Sequence, residues 1–366
     1  MNQHSMSNGH PLYDIQKTFW ENLESPFPVG HKHHGLIRKE SYHQMGRFLD
    51  YPLTTPIGVS ACAITTARGI KPLAKLGFGV LTYKTIRSRA HTGYPMPQVV
   101  YLNEKQPALQ ASDIGQMIQA SATPPTAADH ISISNSLGNP ASDPEWTQWD
   151  IATAKQALSQ GQVLIVSVYG EAQAGRSLLA DFVYTAQLAE EAGADVIELN
   201  LSCPNLSPSN EPLYHHTDIV CTLIQQIVRV VRKPIIAKIG WLEQSTQMVS
   251  LLHAIARGGA QGVAAINSIN MQVFNRAGKA VFDQRTQSGV SGQVIRPLAL
   301  DFVKQLAHIN QRERFNLTLL GMGGVTRPEH FTALHQAGAH VALSATGVMW
   351  NPNLAIQYHQ TLSQAL

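Results

Sequence analysis

Two carboxamides flank a thiol in Glu198-Leu199-Asn200-Leu201-Ser202-Cys203-Pro204-Asn205, and this stretch has the greatest chemical content in the chain. The apolar Asp195-Val196-Ile197 lead into it has the length of a buried strand, and Pro204 bars its continuation as regular strand or helix. Polar groups are therefore presented where a strand runs out. A carboxamide both donates and accepts, so Asn200 and Asn205 can read the amide edges of a flat heterocycle. Cys203 between them can take a proton or attack as a nucleophile if its pKa is lowered; the plain alternative is a buried cysteine in a turn.

The elements that must position these groups follow from alternation along the chain. From about Thr55, short β-rich runs alternate with helix-length segments, the pattern of a parallel sheet. Runs are expected at 57–60, 79–83, 163–168, 196–201, 235–239, 263–266, 317–320 and 341–343. Helical apolar spacing covers 178–192 and 248–256, with Gly193 and Gly258 at their C-terminal ends. Eight strand-helix units predict an α/β fold, a (β/α)8 TIM barrel over residues 51–366, preceded by an N-terminal extension over 1–50. A ninth apolar run, 131–134, lies in a Pro-rich stretch from Arg87 to Asp150, read as a long excursion after the second strand and as active-site cover. Within the extension, Ile15, Phe19, Trp20 and Leu23 fall at helical spacing, and that segment is expected to dock on the barrel. His31, His33 and His34 read as a loop, because no cysteine or carboxylate stands beside them at metal-ligand spacing.

Chemistry in such barrels sits at the C-terminal ends of the strands. Lys84 and Lys238 follow apolar runs directly, where an ammonium needs an anionic or polar partner. Glycine-rich turns that enter helices suit phosphate, since bare backbone N–H groups face the anion. Two are read here: Gly321-Met322-Gly323-Gly324 before Arg327-Pro328, and Ser288-Gly289-Val290-Ser291-Gly292 ahead of a helix over 297–306.

Composition excludes several classes. The 366 residues, 44% hydrophobic, suffice for a large core, and a net charge of +3 without basic runs gives no footprint for nucleic acid. Three cysteines with no close pairing argue against a disulfide framework and for a reducing compartment, hence the cytoplasm. No secretory signal stands at the start, and no apolar stretch reaches the ~18 residues that span a bilayer. Three cysteines are also too few for a four-cysteine iron–sulfur cluster, and no Gly-x-Gly-x-x-Gly dinucleotide fingerprint follows a strand.

Over roughly residues 50–352 these segments resemble the dihydroorotate dehydrogenase family of flavin-dependent barrels, in the family's order. The matching segments are Gly77-Phe78-Gly79-Val80 leading to Lys84-Thr85, then Asn135-Ser136-Leu137-Gly138-Asn139-Pro140, the Asn200–Asn205 string, Lys238, Asn267-Ser268, both glycine runs and the tail over 344–352. The resemblance implies FMN across the barrel mouth, with its phosphate on Gly292, Gly323, Gly324 and the Ser344-Ala345 turn. It implies cofactor contacts from Ala61, Lys84, Thr85, Asn200, Lys238 and Asn267 as well, with Lys238 near the pyrimidine end of the flavin. Substrate contacts would come from Lys84, Asn135, Asn200, Asn205, Asn267 and Ser268. Cys203 matches the general base of the cysteine-type members, which removes the C5 proton of dihydroorotate while a hydride leaves C6 for flavin N5. By the same resemblance the protein would be a homodimer that handles a small molecule in pyrimidine biosynthesis.

The chain departs from the family pattern in three places. Ser60-Ala61-Cys62 stands where relatives carry Ala-Ser-Gly or Ala-Ala-Gly, Ala345 replaces a usual threonine, and 288–292 is closer to the membrane-associated serine-type members. The electron acceptor is open between fumarate, a quinone and a partner protein; the acidic Asp14, Glu21 and Glu24 beside the N-terminal aromatics favour a soluble acceptor over membrane attachment. Two other readings stand beside the main one: a related flavoenzyme acting on a neutral pyrimidine such as dihydrouracil, and a catalytically idle flavin-binding protein.

Overall fold

The computed structural model of the protein describes residues 11–25, 46–202, 211–283 and 285–364. Among the described residues, eight parallel strands close into a barrel in sequence order: β1 (Ile57–Val59), β2 (Val80–Ile86), β3 (Val163–Val168), β4 (Val196–Asn200), β5 (Ile235–Lys238), β6 (Gly262–Ala265), β7 (Thr318–Met322) and β8 (Val341–Ser344). All eight expected runs are strands. Each is buried along nearly its whole length because helices cover the outer face while side chains fill the inside, hence the continuous apolar runs.

The helices that follow the strands begin with Ala67–Lys75 and end with Leu354–Gln364. The expected helix over 178–192 is Leu178–Glu191, capped by the Ser177 hydroxyl and followed by Gly193 at φ 100°. That over 248–256 is longer, Ser245–Gly258, and its left-handed cap is Gly259 rather than Gly258. A hairpin of Gly46–Phe48 and Tyr51–Leu53 straddles the expected boundary at residue 50. Its Phe48 and Leu53 pack with Val80, Val163, Val196 and Val341, plugging the end of the barrel opposite the site.

A second, five-stranded closed barrel stands over the other end. Three of its strands, Val99–Leu102, Met117–Ser121 and Ser132–Asn135, come from the excursion after β2, as that stretch was expected to cover the site. The other two, Ile269–Phe274 and Gln287–Gly292, come from an insertion after β6 that sequence reading missed. This corrects the reading of 288–292 as a turn: it is a strand, pairing Gly289 with Asn135 and Gly292 with Ser132. The helix behind it runs Arg296–Glu313, beyond the expected 297–306. Arg285 ties the two insertions together, donating to the backbone oxygen of Ser136 at 2.8 Å.

The N-terminal segment docks on this assembly. Only Phe19–Glu24 is helical, started by a capping box in which Thr18 and Glu21 satisfy each other's backbone N–H groups. Leu12 N donates to Met349 O, and Arg68 donates to the carbonyls of Asn22 and Leu23. His31, His33 and His34 lie outside the described residues. No described helix is long and apolar enough to cross a membrane, and no cluster of metal-binding side chains occurs among the described residues.

Candidate active site

A cavity of about 910 Å³ opens between the barrel mouth and the small barrel. Its size is at the upper end of ligand pockets, as needed for two planar molecules held together. Of the residues singled out in the sequence, Ala61, Lys84, Thr85, Asn135, Asn200, Lys238, Asn267, Ser268, Gly292, Gly323, Gly324 and Ala345 all line it. Ser344 lies beneath the lining, its hydroxyl donating to Val325 O at 2.7 Å. Cys203 and Asn205 lie outside the described residues; the strand that delivers them, β4, ends at Asn200 in the cavity wall.

Two consecutive residues of a regular strand face opposite sides, yet Lys84 and Thr85 both reach the cavity. The β2–β3 register shifts between Tyr83 and Ile86, and this irregularity turns both inward. Lys84 Nζ donates to Pro140 O at 2.5 Å and Thr85 O at 3.0 Å. Burial, helped by the Arg87 guanidinium, pushes its pKa down to about 7. Arg87 is itself paired with Glu171, which also takes Arg89 at 2.5 Å.

The carboxamides are held in a chain of side-chain hydrogen bonds. Asn267 Nδ2 donates to Ser202 Oγ at 2.6 Å, Ser202 Oγ to Asn200 Oδ1 at 3.1 Å, and Asn200 Nδ2 to Thr85 Oγ1 at 3.1 Å. Thr85 Oγ1 in turn meets Ser167 Oγ at 3.0 Å. The chain links the ends of β2, β3, β4 and β6, so each amide has a fixed orientation before any ligand enters. Asn135 donates to Gly289 O across the small barrel at 3.2 Å. Ser167 and Ser202 were missed in the sequence, where nothing distinguished their hydroxyls from others near a strand end.

Lys238 is beside Asn200 in the β4–β5 register, with its ammonium 3.7 Å from Glu198 Oε1. Glu198 is fully buried and neither carboxylate oxygen has a hydrogen-bond partner among the described residues. The sequence placed Glu198 inside an apolar run, and strand alternation from Asn200 was the signal that it faces inward.

Past β6 and β7 the wall is backbone. Gly292 has φ 94° and a Cβ there would meet Ile131 O at 2.3 Å; Gly324 has φ 69° and a Cβ would meet Arg296 Cβ at 2.4 Å. Only glycine fits both, and backbone without side chains on the cavity wall has the chemistry of an anion cradle. Ala345 brings no hydroxyl, and Thr346, which lines the same wall, donates its own to Ser291 at 3.0 Å. After the first strand, burial pushes the Cys62 thiol up to about 11, so it stays protonated. A cation at one end, a glycine cradle at the other and fixed carboxamides between them suit a phosphorylated, flat, redox-active heterocycle.

A family model described as dihydroorotate dehydrogenase matches residues 46–366. Over 357 residues the chain is 37% identical to a dihydroorotate dehydrogenase of Dictyostelium discoideum, covering 95% of this chain and 96% of that one. It is 29% identical over 184 residues to the catalytic subunit of a dihydroorotate dehydrogenase B (NAD(+)) of Alkaliphilus oremlandii, covering 50% of this chain and 58% of the other. It is 25% identical over 264 residues to a dihydroorotate dehydrogenase A (fumarate) of Lactobacillus delbrueckii subsp. bulgaricus, covering 72% and 73%.

Proposed function

The chain belongs to the dihydroorotate dehydrogenase family, and from that premise we propose that it oxidises dihydroorotate to orotate with FMN as its cofactor. The observation that carries the reading is the juxtaposition of Lys84, Asn135, Asn200, Lys238 and Asn267 around one cavity with a glycine cradle at its far wall. FMN, when bound, accepts the hydrogen and two electrons that leave C6. Its phosphate would rest on Gly292, Gly323 and Gly324, with the Ser344-Ala345 turn behind them, and its pyrimidine end would lie toward Lys238. Ala61 and Thr85 would border the ring.

The chain's own residues do the rest. Cys203 takes the C5 proton onto its sulfur as the C5–C6 double bond forms. Lys84 offers a cation to the substrate carboxylate, while Asn135, Asn200, Asn205, Asn267 and Ser268 read the imide edges. The amides of Asn200 and Asn267 need not reorganise as substrate arrives, because Ser202 and Thr85, the latter backed by Ser167, already hold them. The two electrons then pass to a soluble acceptor of the fumarate kind.

The test is substrate discrimination at Lys84. Lys84→Met should cut kcat/KM for dihydroorotate by about 10²-fold or more, the cost of losing a buried charge-assisted contact, and leave the poor turnover of dihydrouracil nearly unchanged. Equal losses on both substrates would remove Lys84 as the partner of the substrate carboxylate, and dihydrouracil as the better substrate of the wild type would reject dihydroorotate as the substrate.

A further inference from the structure

Lys84 has a cover that the barrel does not supply. Its ammonium lies 5.3 Å from the centre of the Phe19 ring, within cation–π range. Phe19 is 2% exposed and lines the main cavity; it also borders a small cavity behind Lys84, together with Trp20 and Trp146. The ring is held there by bonds specific to this segment: Phe19 N donates to Gln98 Oε1 at 2.7 Å, Gln98 Nε2 to Tyr94 O at 2.7 Å, and Trp20 Nε1 to Thr92 O at 2.9 Å. These anchor points all lie on the excursion that covers the site, so the segment joins the barrel and its cover at the one lysine.

We propose that Phe19, delivered by residues 11–25, is a positioning residue for Lys84: its ring shields the ammonium from solvent and keeps it on the Thr85 and Pro140 carbonyls, which makes the N-terminal segment a wall of the active site. This rests on the reading of Lys84 as the cation that meets the substrate carboxylate. The segment's contribution is then to substrate recognition, and its loss would disturb the site directly.

Among the described residues, the charges that face Lys84 from the surrounding elements are few. Arg87, just past the end of β2, lowers its pKa, and Asp150, on the helix Pro144–Gln156, raises it. Asp150 is engaged by Tyr83 Oη at 2.7 Å and by Ala67 N at 2.9 Å. Glu171 neutralises Arg87, and His91 lines the same cavity. Burial is the largest influence on Lys84, and the Phe19 ring is among the groups that cover it. With Lys84 titrating near 7, the cation is lost as pH rises, so binding of an anion weakens on the alkaline side.

The experiment measures orotate affinity by calorimetry on the full-length, flavin-loaded protein from about pH 6 to about pH 9. In the wild type, affinity should fall through this range as Lys84 deprotonates. In Phe19→Ala the fall should begin about one pH unit higher, because water reaching the ammonium restores its charge, whether the segment stays docked or peels away. Phe19→Leu, which keeps an apolar cover, should follow the wild type. A Phe19→Ala profile that superimposes on the wild type while Lys84→Met still abolishes the pH dependence would overturn the inference and leave the role of Lys84 intact. Unchanged affinity in Lys84→Met would instead remove the reading beneath it.

Discussion

Lys238 Nζ stands 3.7 Å from Glu198 Oε1, on adjacent strands inside the barrel, with side-chain exposures of 4% and 0%. A carboxylate so buried is costly unless a cation offsets it; among the described residues Glu198 has no hydrogen bond, and Lys238 is the cation in reach. The same ammonium lines the cavity, so its charge is divided between Glu198 below and whatever lies above.

That division predicts opposite effects of the two residues on a bound flavin. Removing the cation in Lys238→Ala should lower the reduction potential, since reduction places negative charge near it. Glu198→Gln should raise it, by about 30 mV or more, which for a two-electron couple is about 1.4 kcal/mol. Lys238→Ala should also destabilise the fold by about 3–5 kcal/mol by stranding Glu198, and adding Glu198→Gln should recover most of that loss. Spectroelectrochemical titration and denaturant unfolding check both. Potentials that do not move in either variant would make the pair purely structural.

The base is tested through Cys203. Cys203→Ala should retain flavin and orotate but lose flavin reduction by dihydroorotate by about 10²–10⁴-fold at neutral pH, the usual worth of a general base. Cys203→Ser should recover part of the rate as pH rises, because a hydroxyl is a poorer proton acceptor near neutrality. Rapid-mixing measurements of flavin bleaching decide it, and near-wild-type rates in the alanine variant would remove Cys203 from this role.

Much of this architecture was legible because barrel strands covered on both sides are continuous apolar runs, and polar residues at their ends stand out against them. Lys84, Asn200, Lys238 and Asn267 were found that way. The small barrel was not legible: it pairs Gly289 with Asn135 and Val99 with Asn135, joining segments far apart in sequence that carry few strand signals of their own. For the same reason 288–292, whose glycines read as a turn, is a strand in which Gly289 has no room for a Cβ beside Ser268. Phe19 was visible only as one of four apolar residues at helical spacing. Its partner Lys84 lies 65 positions away, a relationship that only folding brings about.

The most direct test of the central claim is anaerobic mixing of the purified protein with dihydroorotate while the visible spectrum is followed. The protein should be yellow as isolated and release FMN on denaturation. Dihydroorotate should bleach the flavin completely in a single turnover, yielding one orotate per flavin. A preparation that binds flavin and is bleached by dithionite, yet keeps its colour with saturating dihydroorotate, would contradict the account.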